Sequence, residues 1–188
     1  MSESVSSLSR QLLVALPSLD DAHFSRTVVL LCQHDDNGAM GIVINRASEF
    51  SMGELFRQIE VEGGSPELQA RTVLAGGPVH GERGFVLHDG ARGWDSSIRL
   101  ADGLSLTTSR DVLQAMAAGT GPVHALVALG YAGWGAGQLE REIADGSWMT
   151  APADFELLFE QPLEQRWLAA AGRVGVNLMQ MTHYSGRA

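Results

Sequence analysis

The stretch TVVLLCQHDDNGAMGIVINR, Thr27 to Arg46, holds two apolar runs joined by Asp-Asp-Asn-Gly. Asn37-Gly38 between such runs is a hairpin signal, because a tight turn needs left-handed backbone and Asn and Gly reach it most easily. TVVLLCQH (27–34) and AMGIVINR (39–46) are apolar at nearly every position, not at every second one. Strands of that kind are covered on both faces, so the hairpin belongs inside a layered fold. If the turn sets the register, Asn45 lies opposite Val28 and Thr27 opposite Arg46. Arg26, Thr27, Asn45 and Arg46 then form one end of the hairpin. The two arginines fall on opposite faces, which suits a solvated or ion-paired strand end as well as an anion or acidic-partner site.

Outward from the hairpin, strands and helices mix without strict alternation. QLLVALP (11–17) predicts a first strand, ended by Pro17. FSMGELFRQIEVEGG opens with Ser51-x-x-Glu54, a capping box ahead of an amphipathic helix. RTVLAGGP (71–78) and RGFVLHDG (83–90) are strands, and SIRLADGLSLTTS is a second hairpin turning at Asp102-Gly103. SRDVLQAMAAGTG is a helix with Ser109 as N-cap and Gly119 as C-cap. VHALVALGY is a buried strand, QLEREIADG a helix and SWMTAP a short extended piece. ADFELLFE reads equally as helix or strand. LEQRWLAAAGRVG is a final helix ending at Gly172. Hairpins beside strand-helix-strand passages predict an α+β, or mixed α/β, domain with a mixed sheet.

The chain of 188 residues suits one domain over 1–188, with 1–9 and 183–188 expected to fray. Thirteen basic against 22 acidic residues give a net charge of -9. That opposes direct DNA binding, which draws on a basic surface. Cys32 is the one cysteine, so no disulfide forms within the chain, and a reducing compartment is implied. No secretory signal or membrane-length apolar run is present, and a cytoplasmic protein is expected.

GYAGWGAGQLE, Gly130 to Glu140, raises the question of a phosphate cradle. It misses G-x-G-x-x-G, it lacks the Lys and hydroxyl of a P-loop, and Glu140 and Glu142 would repel an anion at the helix start. The expected role is a tight strand-to-helix turn whose glycines permit close packing. Trp134 within it either plugs a core gap or lines a pocket. Cys32 and His34 share a strand face, as a nucleophile and base must, but Cys32 sits in an apolar run and lacks an electropositive setting. The six histidines show no metal-ligand spacing, His80 and His88 beside Asp89 giving only a weak hint, and no G-x-S-x-G elbow exists. No metal and no cofactor is expected.

Several of these blocks together resemble the AlgH/YqgE family of bacterial proteins. They are LLVALPSLDDAHFSRTVVLLCQHDDNGAMGIVINR, LAGGPVHGERGFVLHDG, WDSSIRL, LTTSRDVLQAMAAGTGP and LGYAGWGAGQLEREIADGSWMTAP. The resemblance spans about residues 10–180. It departs where the family often has Asp-Pro at Asp20-Asp21, an acid at Gln33 and Gly-His-Ala at the end of the chain. It implies a largely antiparallel sheet curled toward a pseudo-barrel, with helices packed outside, in a bacterial cytosolic protein. It carries over no catalytic residue or cofactor. Members bear a transcriptional-regulator label, and the AlgH name is linked to alginate production. The leading reading is a non-catalytic regulatory or binding module that acts on a protein or small-molecule partner, without DNA contact or membrane. Arg26, His34, Asn45, Arg46, His88 and Trp134 are its candidate pocket residues. The alternative is an enzyme with a site near Cys32, His34 or His88.

Overall fold

In the computed structural model, residues 7–90, 93–101 and 103–184 are described. The Thr27–Arg46 hairpin forms, but it does not keep the register that its turn sets. Asp35 pairs with Gly38 and Gln33 with Met40, then Leu31 pairs with Gly41 and Val29 with Val43. Cys32 is the extra residue of a bulge, which moves the pairing by one. Ile44, rather than Asn45, comes opposite Val28, and its N–H donates to the Val28 carbonyl at 2.9 Å. Gly41 permits the tight approach: a Cβ there would meet Val29 Cγ1 at 2.6 Å and the Leu30 carbonyl oxygen at 2.9 Å.

In chain order the strands are β1 (Gln11–Ala15), β2 (Val28–Asp35), β3 (Gly38–Val43), β4 (Ala47–Ser51), β5 (Thr72–Ala75), β6 (Val79–His88), β7 (Ser97–Ala101), β8 (Leu104–Thr107), β9 (Ala125–Gly135) and β10 (Trp148–Pro152). The α-helices are α1 (Met52–Gln58), α2 (Pro66–Gln69), α3 (Arg110–Ala118), α4 (Gln138–Ala144), α5 (Arg166–Gly172) and α6 (Leu178–Tyr184). The sheet runs β10-β1-β2-β3-β9-β6-β8-β7, and β5 joins β9 in parallel while pairing β4. Every other pairing is antiparallel. The result is the mixed α+β architecture expected, a half-barrel sheet with helices packed against it.

Both faces are buried, as the unbroken apolar runs require. Val28 and Leu30 lie in one cluster with Leu12, Val14, Trp167 of α5 and Leu178 of α6. Val29 and Leu31 lie in another with Leu13, Trp148 and Leu139 of α4. A third cluster packs α1 and α3 onto Val73, Val86 and Val127. Alternate residues of the same strand therefore feed opposite cores.

The capping box at Ser51 and Glu54 forms as the sequence indicates, and Gly119 ends α3 in the left-handed region at φ 78°. Ser109 stands at the N-cap position of α3 without capping it; its hydroxyl donates to Asp111, whose carboxylate takes the Val112 N–H at 2.9 Å. ADFELLFE is neither α-helix nor strand but holds a π turn, Glu156–Glu160. LEQRWLAAAGRVG is not the last helix. The Asn177 carboxamide accepts the N–H groups of Met179 and Gln180 at 3.1 and 3.3 Å and starts α6. Asp102, of the second hairpin's turn, and residues 1–6 and 185–188, of the ends expected to fray, lie outside the described residues.

The glycine-rich stretch also differs from its expected role. β9 continues through it to Gly135, so Gly130, Gly133 and Gly135 are strand residues and only Ala136-Gly137 turn into α4. The pairing explains this: Gly135 lies against Gly38 and Gly133 against Met40. A Cβ on Gly38 would run into the carbonyl oxygen of Trp134.

Candidate functional site

β2 and β7 stand five places apart in the sheet, about 24 Å if it were flat at ~4.8 Å per strand. Yet Cys32 of β2 and Ile98 of β7 line one cleft of ≈ 720 Å³. The sheet therefore curls, and the cleft is its concave side. The intervening strands supply Met40, Tyr131, Phe85 and Leu106. Cys32, Phe85 and Leu106 belong to the first core cluster, so the cleft is the part of that inner face which α5, α6 and the π turn leave uncovered. Ile98 is 47% exposed there.

Polar groups stand at the rim. The pairing of β6 with β9 slips between Val79 and Gly84, and residues 80–83 are exposed. That bulge puts Arg83 over the cleft, its guanidinium carbon 5.5 Å from the centre of the Phe85 ring. No carboxylate pairs with Arg83 among the described residues. Asp95, Ser96 and Thr108 complete the rim.

The sequence candidates fall into three places. Arg26, Asn45 and Arg46 do meet, but they hold backbone. Asn45 Oδ1 accepts the Val28 N–H at 2.8 Å, and its Nδ2 donates to the Arg26 carbonyl at 2.9 Å, filling in where the bulge has shifted the ladder. Arg46 donates to the carbonyls of Ala22, His23 and Ser25, which engages its guanidinium within the 22–25 turn. Arg26 stacks on Trp167, 5.5 Å from the ring centre.

His34 and Trp134 lie at the other end of the hairpin. The Leu8 N–H donates to His34 Nδ1 at 3.0 Å, so Nε2 bears the hydrogen and donates to Glu140 Oε1 at 2.7 Å. The bulge at Cys32 resets the alternation, and His34 reaches α4 while Cys32 stays in the first cluster. Burial pushes the Cys32 thiol up to about 12, so it stays protonated at neutral pH. Trp134 takes both of the roles open to it. It is 7% exposed, packs 6.0 Å from both Phe24 and Trp148 and donates to Glu142 Oε2 at 2.9 Å, and its edge lines the cleft.

His88 is fully buried on β6. The Asp89 carbonyl can only accept, so Nδ1 carries the hydrogen and donates to it at 2.9 Å. Nε2 stands within hydrogen-bond distance of the Thr107 hydroxyl at 2.8 Å, and that hydroxyl is 2.7 Å from the one of Ser97. Neither His34 nor His88 keeps a free ring nitrogen.

Two carboxylates tie these parts together and set an acid limit on stability. Glu140 is lowered from its usual range by its own backbone N–H and then by His34. Burial raises Asp89, but the ring and backbone N–H of His124 outweigh it and the net shift is downward. Groups with a depressed folded value stabilise the fold above the unfolded carboxylate range, about pH 4, and lose that contribution as pH falls through the folded values. Denaturation midpoints should therefore drop as pH falls below about 4. A Glu140→Gln, Asp89→Asn double variant should show a shallower drop. An unchanged slope in the variant would remove these two pairs from the account.

The alternation of β6 breaks at HGERG, residues 80–84, and that signal could have located Arg83. Nothing in the sequence marked Ile98 or Tyr131, because their significance depends on the curl of the sheet.

The AlgH-like family profile matches residues 12–179. The UPF0301 protein of Stenotrophomonas maltophilia strain K279a is 62% identical over 180 residues, 96% of each chain. A UPF0301 protein of Xanthomonas campestris pv. campestris strain B100 is 59% identical over 181 residues, again 96% of each. The solution structure of AlgH from Pseudomonas aeruginosa superposes with a TM-score of 0.80 at 44% identity, over the whole of both chains. A Corynebacterium diphtheriae protein, DIP2367, shares the fold at a TM-score of 0.70 and 23% identity, over 90% of this chain and 88% of its own. The half-barrel, its glycine-rich central strand and these relatives agree: the chain belongs to the AlgH-like family.

Proposed function

We propose that the protein is a non-catalytic binding module whose concave cleft takes a small molecule with an apolar body, and that any regulatory output follows from occupancy. The observation that carries this is the unfilled inner face, where Ile98 is 47% exposed beside core residues Phe85 and Leu106. A volume of ≈ 720 Å³ falls in the range of small-molecule sites, which are mostly apolar with a few polar groups for orientation. Arg83 and Thr108 would supply those. A net charge of -9 supports regulation through a partner rather than by DNA contact. The single buried thiol suits a cytoplasmic place of action.

The probe is 1-anilinonaphthalene-8-sulfonate, an apolar ring system with one anionic group. The native protein should bind about one equivalent with a rise in dye fluorescence. Ile98→Glu, which puts a negative charge in the apolar part of the cleft, should weaken binding of the anionic dye at least about tenfold while the thermal midpoint stays within a few degrees. Equal dye binding by wild type and Ile98→Glu would refute the cleft as the site.

A further inference from the structure

Arg166 opens α5 and is only 4% exposed, yet it has no carboxylate partner among the described residues. Its Nε donates to the Gln161 carbonyl at 2.9 Å and its Nη1 to the Ile44 carbonyl. Nη2 makes no hydrogen bond to any described residue. Among the described residues no fully buried polar side-chain atom lacks a partner, so Nη2 is not sealed off from open space. Arg166 lines a cavity of ≈ 200 Å³ that shares no lining residue with the concave cleft. Arg71 lines the same cavity and likewise has no ionic partner among the described residues. Among the described residues no acid lines it, and the remaining wall is Thr72 with apolar side chains such as Met52, Met116 and Leu126.

A buried cation without a counter-charge is expensive, and two arginines on one cavity, with no acid among its described lining residues, give it a positive potential. Guanidinium groups match carboxylate and phosphate oxygens in pairs. We propose that this cavity is a binding site for a small oxyanion, a phosphate or carboxylate, seated between Arg166 and Arg71. The volume corresponds to roughly six or seven waters at ~30 Å³ each, enough for the anionic head and a short apolar substituent. Desolvation already lowers Arg166 to about 10, so it remains cationic at neutral pH.

The test follows thermal midpoints of the full chain in inorganic phosphate, propyl phosphate and butyrate, against sodium chloride at matched ionic strength. At least one oxyanion should raise the midpoint saturably where chloride does not. Arg71→Gln should weaken that response at least tenfold. Arg71 is an exposed residue, so this variant keeps its fold. Arg57→Gln, a surface control, should not alter it. A stronger response to propyl phosphate than to inorganic phosphate identifies an organic phosphate as the natural class; the reverse identifies the free ion. Non-saturating responses equal to chloride, or saturable responses that Arg71→Gln leaves intact, would overturn the site.

Discussion

Gly77→Ala should lower unfolding stability by on the order of 3–5 kcal/mol, one of the two largest single-residue losses expected in this chain. Gly76 and Gly77 link β5 to β6 and cross directly over β9. A Cβ on Gly77 would fall onto the carbonyl group of Tyr131, one on Gly76 onto the carbonyl oxygen of Gly130, and one on Gly130 onto the carbonyl oxygen of Gly77. The obstacles are backbone, and β9 is bonded on both sides, so neither chain can give way. Gly77 has φ 153° and Gly130 φ 76°, values that L side chains rarely adopt. Overpacking costs ~1–3 kcal/mol or more and the backbone strain about 1–3. Gly172→Ala, whose added Cβ would meet no described residue beyond its own helix within 4 Å, is the control and should leave stability unchanged or slightly raised. Equal denaturant midpoints for Gly77→Ala and the control would mean that the crossing is not tight.

Trp148→Ala should cost about 3–5 kcal/mol. The side chain is 2% exposed and packs edge-on against Phe24 at 5.7 Å and Trp134 at 6.0 Å. Its indole N–H donates to Glu142 Oε2 at 2.9 Å, the same oxygen that accepts from Trp134. One carboxylate oxygen thus satisfies two buried donors, each costing ~1–3 kcal/mol if orphaned. Glu142→Ala should cost about 2–4 kcal/mol on that basis. The double variant Trp148→Ala, Glu142→Ala should lose less than the sum of the single losses, because the shared hydrogen bond is removed only once. Strict additivity in urea melts would show that the indole N–H contributes nothing through Glu142.

The layered hairpin was legible because unbroken apolarity in β2 has one structural meaning. The capping box at Ser51 was legible because its chemistry is local. The extent of β9 was not. Glycines usually signal a turn, and here the reason for them lies some fifty residues earlier at Gly76-Gly77 and nearly a hundred earlier at Gly38. The register of Asn45 failed for a related cause, since a bulge at Cys32 leaves no mark in a run of apolar residues. Of the candidate pocket residues, Asn45 and Arg46 lie between β3 and β4 and bind backbone, and His34 bonds Leu8 and Glu140. Their partners, backbone carbonyls and amides from the 22–28 turn and from Leu8, could not be read from spacing. The cleft escaped notice because it is made by curvature, which no window of sequence contains.

β9 pairs with β3, β5 and β6, and among the described residues no other strand pairing links the β1-β2-β3 group to the β6-β8-β7 group. It begins at Ala125. A nascent chain that has emerged only as far as α3 therefore holds three separate ribbons, one of them β4-β5, with unpaired edges and no common sheet. Contacts of such long sequence separation form slowly and leave strand edges open meanwhile. The sheet cannot close before β9 is made, so a chain stalled before Gly135 should be more prone to mispairing than the full chain.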